Sequence, residues 1–232
     1  MNPVAYRLLL RSHVTRGRLL FALAAGVLVV LAGIGIAIAD APHRAAADLV
    51  QGPALGFLVP VISLIFAVAV LGDLAEDRTL VYVWLRPIAR PRLAVSAFAA
   101  ALTAVLPLTA IPAGLAAAVS GRPGLAYGAM LGAALGASAY SALFLGLGLR
   151  TRRSLVWGLL YVLLWEDVLS NVSSDLATLS VRRYVGSVLS GLGERVGGRY
   201  TVDLAPAIVT LVVVTILGVA LCTWLLRRQD VD

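Results

Sequence analysis

Between Leu19 and Ala39 the chain runs for a full membrane thickness without a charged residue. Five further apolar runs follow: Gly52–Leu71, Leu93–Val119, Gly124–Leu149, Ser154–Asn171 and Leu204–Leu226. A helix rises about 1.5 Å per residue and a bilayer core is about 30 Å thick, so runs of this length fit membrane-spanning helices. The expectation is an all-α integral membrane protein with six transmembrane helices in one domain, residues 1–232. Composition agrees: 60% of residues are hydrophobic and 13% are charged, whereas a soluble domain is about half apolar and a quarter charged.

The net charge of +7 comes from 19 basic residues, every one an arginine. In a chain this apolar, such charge belongs at the membrane surface rather than on nucleic acid. An even number of spans puts both termini on one side. With the N-terminus inside, thirteen arginines fall on the inner face (7, 11, 16, 18, 78, 86, 90, 92, 150, 152, 153, 227 and 228) and six on the outer face (44, 122, 182, 183, 195 and 199). That excess predicts cytoplasmic N- and C-termini.

Residues 2–18 precede the first run. On a helical wheel Arg7, Arg11 and Arg18 share a stripe, with Tyr6, Leu9 and Leu10 roughly opposite, the pattern of an interfacial helix on the inner face. The Ala37-Ile38-Ala39 end resembles a signal-peptide cleavage site, but the apolar run is too long for a signal sequence, and the span is expected to be retained. Asp40–Gln51 reads as a short polar loop. Pro107 and Pro112 predict a kink or break in the third span. Gly124, Gly128, Gly132 and Gly136 form one smooth stripe on the fourth, where another helix can approach closely. Ordinary packing within the chain is the favoured use of that stripe, ahead of a subunit contact. The polar segment 172–203 contains Asp175–Leu192, expected to form one or two short helices on the outer membrane surface.

Several chemistries lack their motifs. No GxxxxGK[ST] is present, so ATP hydrolysis through a P-loop would need another chain. The two histidines, His13 and His43, lie outside the spans, and the single cysteine, Cys222, lies in an apolar run. That excludes an intrachain disulfide and leaves no Cys/His cluster for a metal. An intramembrane serine protease is disfavoured despite Ser138 and Ser141. Glu166 and Asp167 lie about 18 Å along the fifth span, after Tyr161 and Trp165. Acids in a span are functional candidates by default. A translocation-path role and a structural pairing near the outer interface both remain open for them.

The loop from Asp73 to Arg92 is the strongest departure from the apolar pattern. Asp73, Glu76 and Asp77 precede an apolar middle (Leu80, Val81, Val83, Trp84, Leu85), and Arg78, Arg86, Arg90 and Arg92 surround it. Acids favour a helix N-terminus and Pro87 stops a helix near Arg86, so a short helix from about Glu76 to Leu85 is expected. Its apolar face needs a cover: the bundle, lipid or a soluble partner.

Here the residues resemble a family. Glu76-Asp77-Arg78-Thr79-Leu80 followed by Arg86-Pro87-Ile88-Ala89-Arg90 resembles the acidic-GTL and RPxxR loop between the second and third spans of ABC-2 type transporter permeases. Tyr161–Asp167 (YVLLWED) is similar to the fifth span of bacterial members. The elbow helix, six spans and external segment match the family layout over essentially the whole chain. Arg78 stands where many members carry glycine. The resemblance implies a permease subunit of a prokaryotic plasma-membrane exporter. It would pair with a second permease subunit, identical or not, and with separate ATP-binding subunits that hold ATP and Mg. This chain would have no cofactor of its own and no enzymatic activity. It further implies that Glu76, Asp77, Thr79, Leu80, Trp84, Arg86 and Arg90 form a coupling helix and its flanks, docked on the ATPase. The rival readings are a substrate-capturing membrane subunit of a vitamin importer and a non-transport assembly protein. The importer subunit would not need the charged docking loop.

Overall fold

The computed structural model describes residues 3–40, 43–76, 89–151, 153–164, 178–192 and 202–228. Among the described residues the secondary structure is helical. Five stretches are long and apolar enough to cross a membrane: Arg16–Ile38, Arg44–Gly72, Arg90–Val119, Pro123–Arg150 and Leu204–Arg228. A shorter apolar helix covers Ser154–Leu164. The chain is therefore a multi-pass helical membrane protein.

Helix α1 (Pro3–His13) is amphipathic, as its sequence predicts, and separate from α2 (Arg16–Ile38). Thr15 caps α2, accepting from the Arg18 backbone N–H at 3.5 Å. Arg18 thus belongs to α2 and not to the stripe of the first helix. Arg7 and Arg11 are exposed while Leu9 and His13 are fully buried. His13 meets Phe66 edge-on at 6.0 Å, and Tyr6 hydrogen-bonds Thr103 at 2.9 Å. The first helix is fastened under the bundle by its apolar face.

Most of the expected loop Asp40–Gln51 is helix. The chain turns at Asp40 and is helical again from His43: α3 (His43–Leu49) leads through a π-helical segment, Val50–Leu58, into α4 (Val59–Glu76). Residues 43–76 thus form one continuous rod about 50 Å long. Ala45–Ala47 are good helix formers and outvote the polar residues around them. Pro53 sits inside the π-helical segment. Proline lacks an N–H and its ring crowds the carbonyl four residues back, a conflict that a locally widened turn relieves.

Helix α5 (Arg90–Val119) contains Pro107 and Pro112 and is unbroken. Gly121, at φ +83, supplies the left-handed turn that follows. A 3₁₀ turn, Pro123–Leu125, opens α6 (Ala126–Arg150). Then come α7 (Ser154–Leu160), continuing as a π-type turn over residues 161–164, α8 (Val181–Leu192) and α9 (Leu204–Arg228).

Close approaches at glycines fix how the helices run. A Cβ on Gly26 would meet Pro112, and one on Gly33 the Ala116 carbonyl, so α2 and α5 run in parallel. Gly136 faces Val59 and Gly148 faces Val68, so α4 and α6 are also parallel to each other. Gly218 abuts Ala142 and Gly146 faces Leu221 and Leu225, which sets α9 in the same direction as α6. Gly114 at the end of α5 meets Met130 near the start of α6, so those two helices are antiparallel. One end of the bundle therefore gathers the starts of α2 and α5 with the ends of α4, α6 and α9. It carries the arginines at positions 7, 11, 16, 18, 90, 92, 150, 153, 227 and 228, against 44, 122, 182 and 183 at the opposite end.

Burial is uneven among the spans. In the rod from Arg44 to Gly72, 89% of the apolar window is buried, against 22% for α2 and 17% for α9. The rod and α6 form the centre of the molecule, while α2 and α9 lie at its periphery. Small residues line the centre: Ala129, Ala133, Ala137, Ala139 and Ala142 on α6 are all fully buried. Association in lipid depends on such close van der Waals packing, because lipid tails remove the hydrophobic drive.

Candidate functional site

The arginine-poor end is closed by α8. This helix was expected on the membrane surface. Instead Val181, Val185, Val188 and Leu189 are buried in packing against α6, α9 and the π-helical segment. The glycine stripe explains why it can enter. A Cβ on Gly132 would lie 3.3 Å from the Val185 carbonyl oxygen, and one on Gly136 would lie 2.8 Å from the Val185 side chain. Gly128, Gly132 and Gly136 are buried in α6. Gly124 is not on that face: it falls in the 3₁₀ turn and is exposed. The stripe is thus used within the chain, and its occupant at Gly132 and Gly136 is α8.

The other side of α8 meets the rod. The Arg182 guanidinium lies against Gly56, where a Cβ would stand 2.5 Å from Nε. Gln51 Nε2 lies 3.2 Å from the Cβ position of Gly186. A cavity of about 300 Å³ is lined by Gly52, Pro53, Gly56, Phe57 and Arg182. The π-helical segment supplies four of its five lining residues, and π-type turns recur at functional sites. Ser187 ties α8 to the residues just before α9, accepting from the Val202 N–H at 3.0 Å.

Deeper in the bundle, hydroxyls take two forms. Ser96, Thr109 and Ser138 donate to carbonyls four residues back at 2.7, 2.8 and 2.8 Å. Ser63 Oγ and Ser141 Oγ are buried and have no hydrogen-bond partner among the described residues. They lie on α4 and α6, between the Val59–Gly136 and Val68–Gly148 contacts, and so at one level of the membrane. Tyr140 beside them stacks on Phe144 at 5.9 Å, and Phe144 meets Tyr161 edge-on at 6.2 Å. That aromatic path ends on the π-type turn directly before Trp165. Glu166 and Asp167 themselves lie outside the described residues.

At the arginine-rich end, α4 ends at Glu76 and α5 begins at Arg90, with Pro91 at its first turn. Of the proposed docking residues, Asp77, Thr79, Leu80, Trp84 and Arg86 lie outside the described residues. So do Arg78 and Pro87. Glu76 closes the helix of the rod, and Arg90 is half-buried at the start of α5. Asp73 and Arg92, read from sequence as loop, belong to these two helices.

Sequence reasoning missed Arg182, the π-helical segment and the unpartnered hydroxyls of Ser63 and Ser141. The Gly52-Pro53-x-x-Gly56 run carried a signal for the second, and the Val181, Val185, Val188, Leu189 spacing carried one for the buried face of α8.

The fold and these sites define a polytopic helical bundle with α8 packed into one end and arginine-rich helix ends at the other. Neither the protein-family models nor the curated proteins contain a match to the chain.

Proposed function

We propose that the chain is the transmembrane subunit of an ATP-driven exporter of the ABC-2 permease type, with the ATPase on a separate chain. The observation that carries this reading is the continuity of the rod from His43 to Glu76. One end of it, Glu76, leads to the charged segment 77–88, and the other meets Arg182 and helix α8. Between them it is the most buried of the spans whose burial is compared above. A push on the loop is therefore delivered along a stiff element, through the packed centre, to the plug. Transmission over about 50 Å needs such a rigid element with two arrangements at its far end.

In this reading the arginine-rich end is cytoplasmic, in a prokaryotic plasma membrane, and the loop 77–88 docks on the ATPase. The chain crosses the membrane six times. What supports the sixth crossing is that Ser154 follows the arginine-rich end of α6, whereas α8 packs at the opposite end. A second permease subunit completes the translocation path.

The test is co-purification with the P-loop ATPase encoded nearest to it. Wild-type chain is expected to retain the ATPase through two affinity steps. Like-charge juxtaposition at an interface costs several kcal/mol, so Glu76→Arg is expected to lower the retained ATPase by about tenfold or more while the bundle stays folded. Trp84→Ala is expected to act in the same direction. Failure of the wild-type chain to retain any P-loop protein sinks the transporter reading, and equal retention by both variants moves the docking site off this loop.

A further inference from the structure

A second cavity, of about 440 Å³, opens at the arginine-rich end and is lined by Leu149, Arg150, Trp224, Leu225 and Arg228. It lies where the parallel helices α6 and α9 end together. Arg150 and Arg228 are exposed, and no carboxylate among the described residues pairs with either. The Arg228 guanidinium sits 4.0 Å over the Trp224 ring, which holds the cation at the cavity while leaving its N–H groups available. Arginine presents its donors in a planar fork that matches a phosphoryl group.

Membrane position selects among the anions that could enter. Helix α9 is the least buried of the spans. Leu217 and Leu221, 62% and 48% exposed, continue from the cavity along its lipid-facing side. Trp224 is 46% exposed at the last turn, the depth at which tryptophan marks the membrane interface. A ligand with a phosphoryl head and apolar tails satisfies both parts of this surface, whereas a soluble anion covers only the first.

We propose that this cavity is a binding site for an anionic phospholipid of the adjoining leaflet. The phosphoryl group is held by Arg150 and Arg228, the headgroup lies against Trp224, and the acyl chains run along α9. The site uses no residue of 77–88 and does not depend on the transporter reading.

The test uses the full chain, purified in mild detergent and depleted of lipid. It is offered phosphatidylglycerol and phosphatidylcholine with identical acyl chains in equal amounts, and bound lipid is read by native mass spectrometry. Wild type is expected to prefer phosphatidylglycerol. Arg150→Gln and Arg228→Gln are each expected to reduce that preference about fivefold, and the pair about thirtyfold, the attraction expected of one and two arginines near an anionic lipid surface. Arg44→Gln, at the opposite end, is expected to leave it unchanged. Unaltered far-UV circular dichroism checks that the variants fold. Absence of preference in wild type, or its persistence in the double variant, overturns the proposal. Displacement of phosphatidylglycerol by millimolar inorganic phosphate or glycerol phosphate overturns it in favour of a soluble anion. A double variant that changes oligomeric state while keeping its lipid preference overturns it in favour of a contact between copies.

Discussion

Gly148→Leu is expected to abolish the folded bundle, and Gly148→Ala to destabilise it by about 1–3 kcal/mol, the usual cost of forcing extra atoms into a packed core. The atoms in the way decide this. A Cβ on Gly148 would stand 2.8 Å from the Val68 carbonyl oxygen and 3.2 Å from its Cα. Those are backbone atoms of the most buried span, so they cannot swing aside as a side-chain tip can. Either the rod separates from α6 or the new methyl group clashes. Thermal unfolding of the purified protein in detergent measures the loss. Gly136→Ala provides the contrast, because its Cβ would meet a side chain, Val185 Cγ2, at 2.8 Å. Val185→Ala is expected to restore stability to Gly136→Ala, whereas Val68→Ala is not expected to rescue Gly148→Ala. Nonadditivity of this kind is confined to residues in contact. At Gly35 nothing lies within 4 Å of the Cβ position, so Gly35→Ala is expected to be neutral or stabilising by up to about 1 kcal/mol. A Gly148→Ala protein as stable as wild type would mean that the rod and α6 do not meet at this level.

How far the sequence foretold this arrangement depends on whether a signal was local. The long spans were legible because length and apolarity are local and the bilayer sets the required length. Their ends were less so. The Asp40–Gln51 stretch looked like a loop because Asp40, His43, Arg44 and Asp48 interrupt the hydropathy, yet Ala45–Ala47 and the following run carry the helix through the last three of them. The π-helical segment was not legible from periodicity. A stretch apolar at nearly every position has no polar face against which to tell one helical period from another. Gly124 shares the four-residue spacing of its companions, but Pro123 starts a 3₁₀ turn there, and the turn takes it off the buried face. The burial of α8 was hardest to see. Its helical character is written in Val181–Leu192, but whether it lies on the membrane or inside the bundle depends on glycines some fifty residues earlier. In the same way Arg182 was one outer arginine among several until the missing side chain of Gly56 gave it a place.

If the chain is the proposed permease subunit, oxidative cross-linking of Gly136→Cys to Val185→Cys is expected to arrest transport, and reduction to restore it. The geometry favours the bond. Val185 Cγ2 lies 2.8 Å from the Cβ position of Gly136, so the two Cβ atoms fall within the span of about 3.5–4.5 Å that a disulfide bridges. Replacing Val185 by cysteine also removes the methyl group that a side chain at position 136 would strike. The engineered pair needs a Cys222→Ala background, since Cys222 is the one native thiol. Two readouts separate structure from function. Bond formation, seen as a mobility shift in the full-length chain, tests whether α8 occupies the glycine face of α6. Failure to form the bond under mild oxidation would remove α8 from that face. ATP-driven transport in vesicles that also hold the proposed ATPase subunit tests whether α8 must leave. The helix fills the space between α6, α9 and the π-helical segment, so a path through that end opens only if α8 moves against at least one of them. Tying α8 to α6 forbids that movement on the side where the contact is tightest. Vesicles holding the cross-linked protein together with that ATPase are therefore expected to transport nothing above background until reductant is added. Full transport by the cross-linked form would mean that α8 is a fixed strut, and that the path opens elsewhere in the bundle.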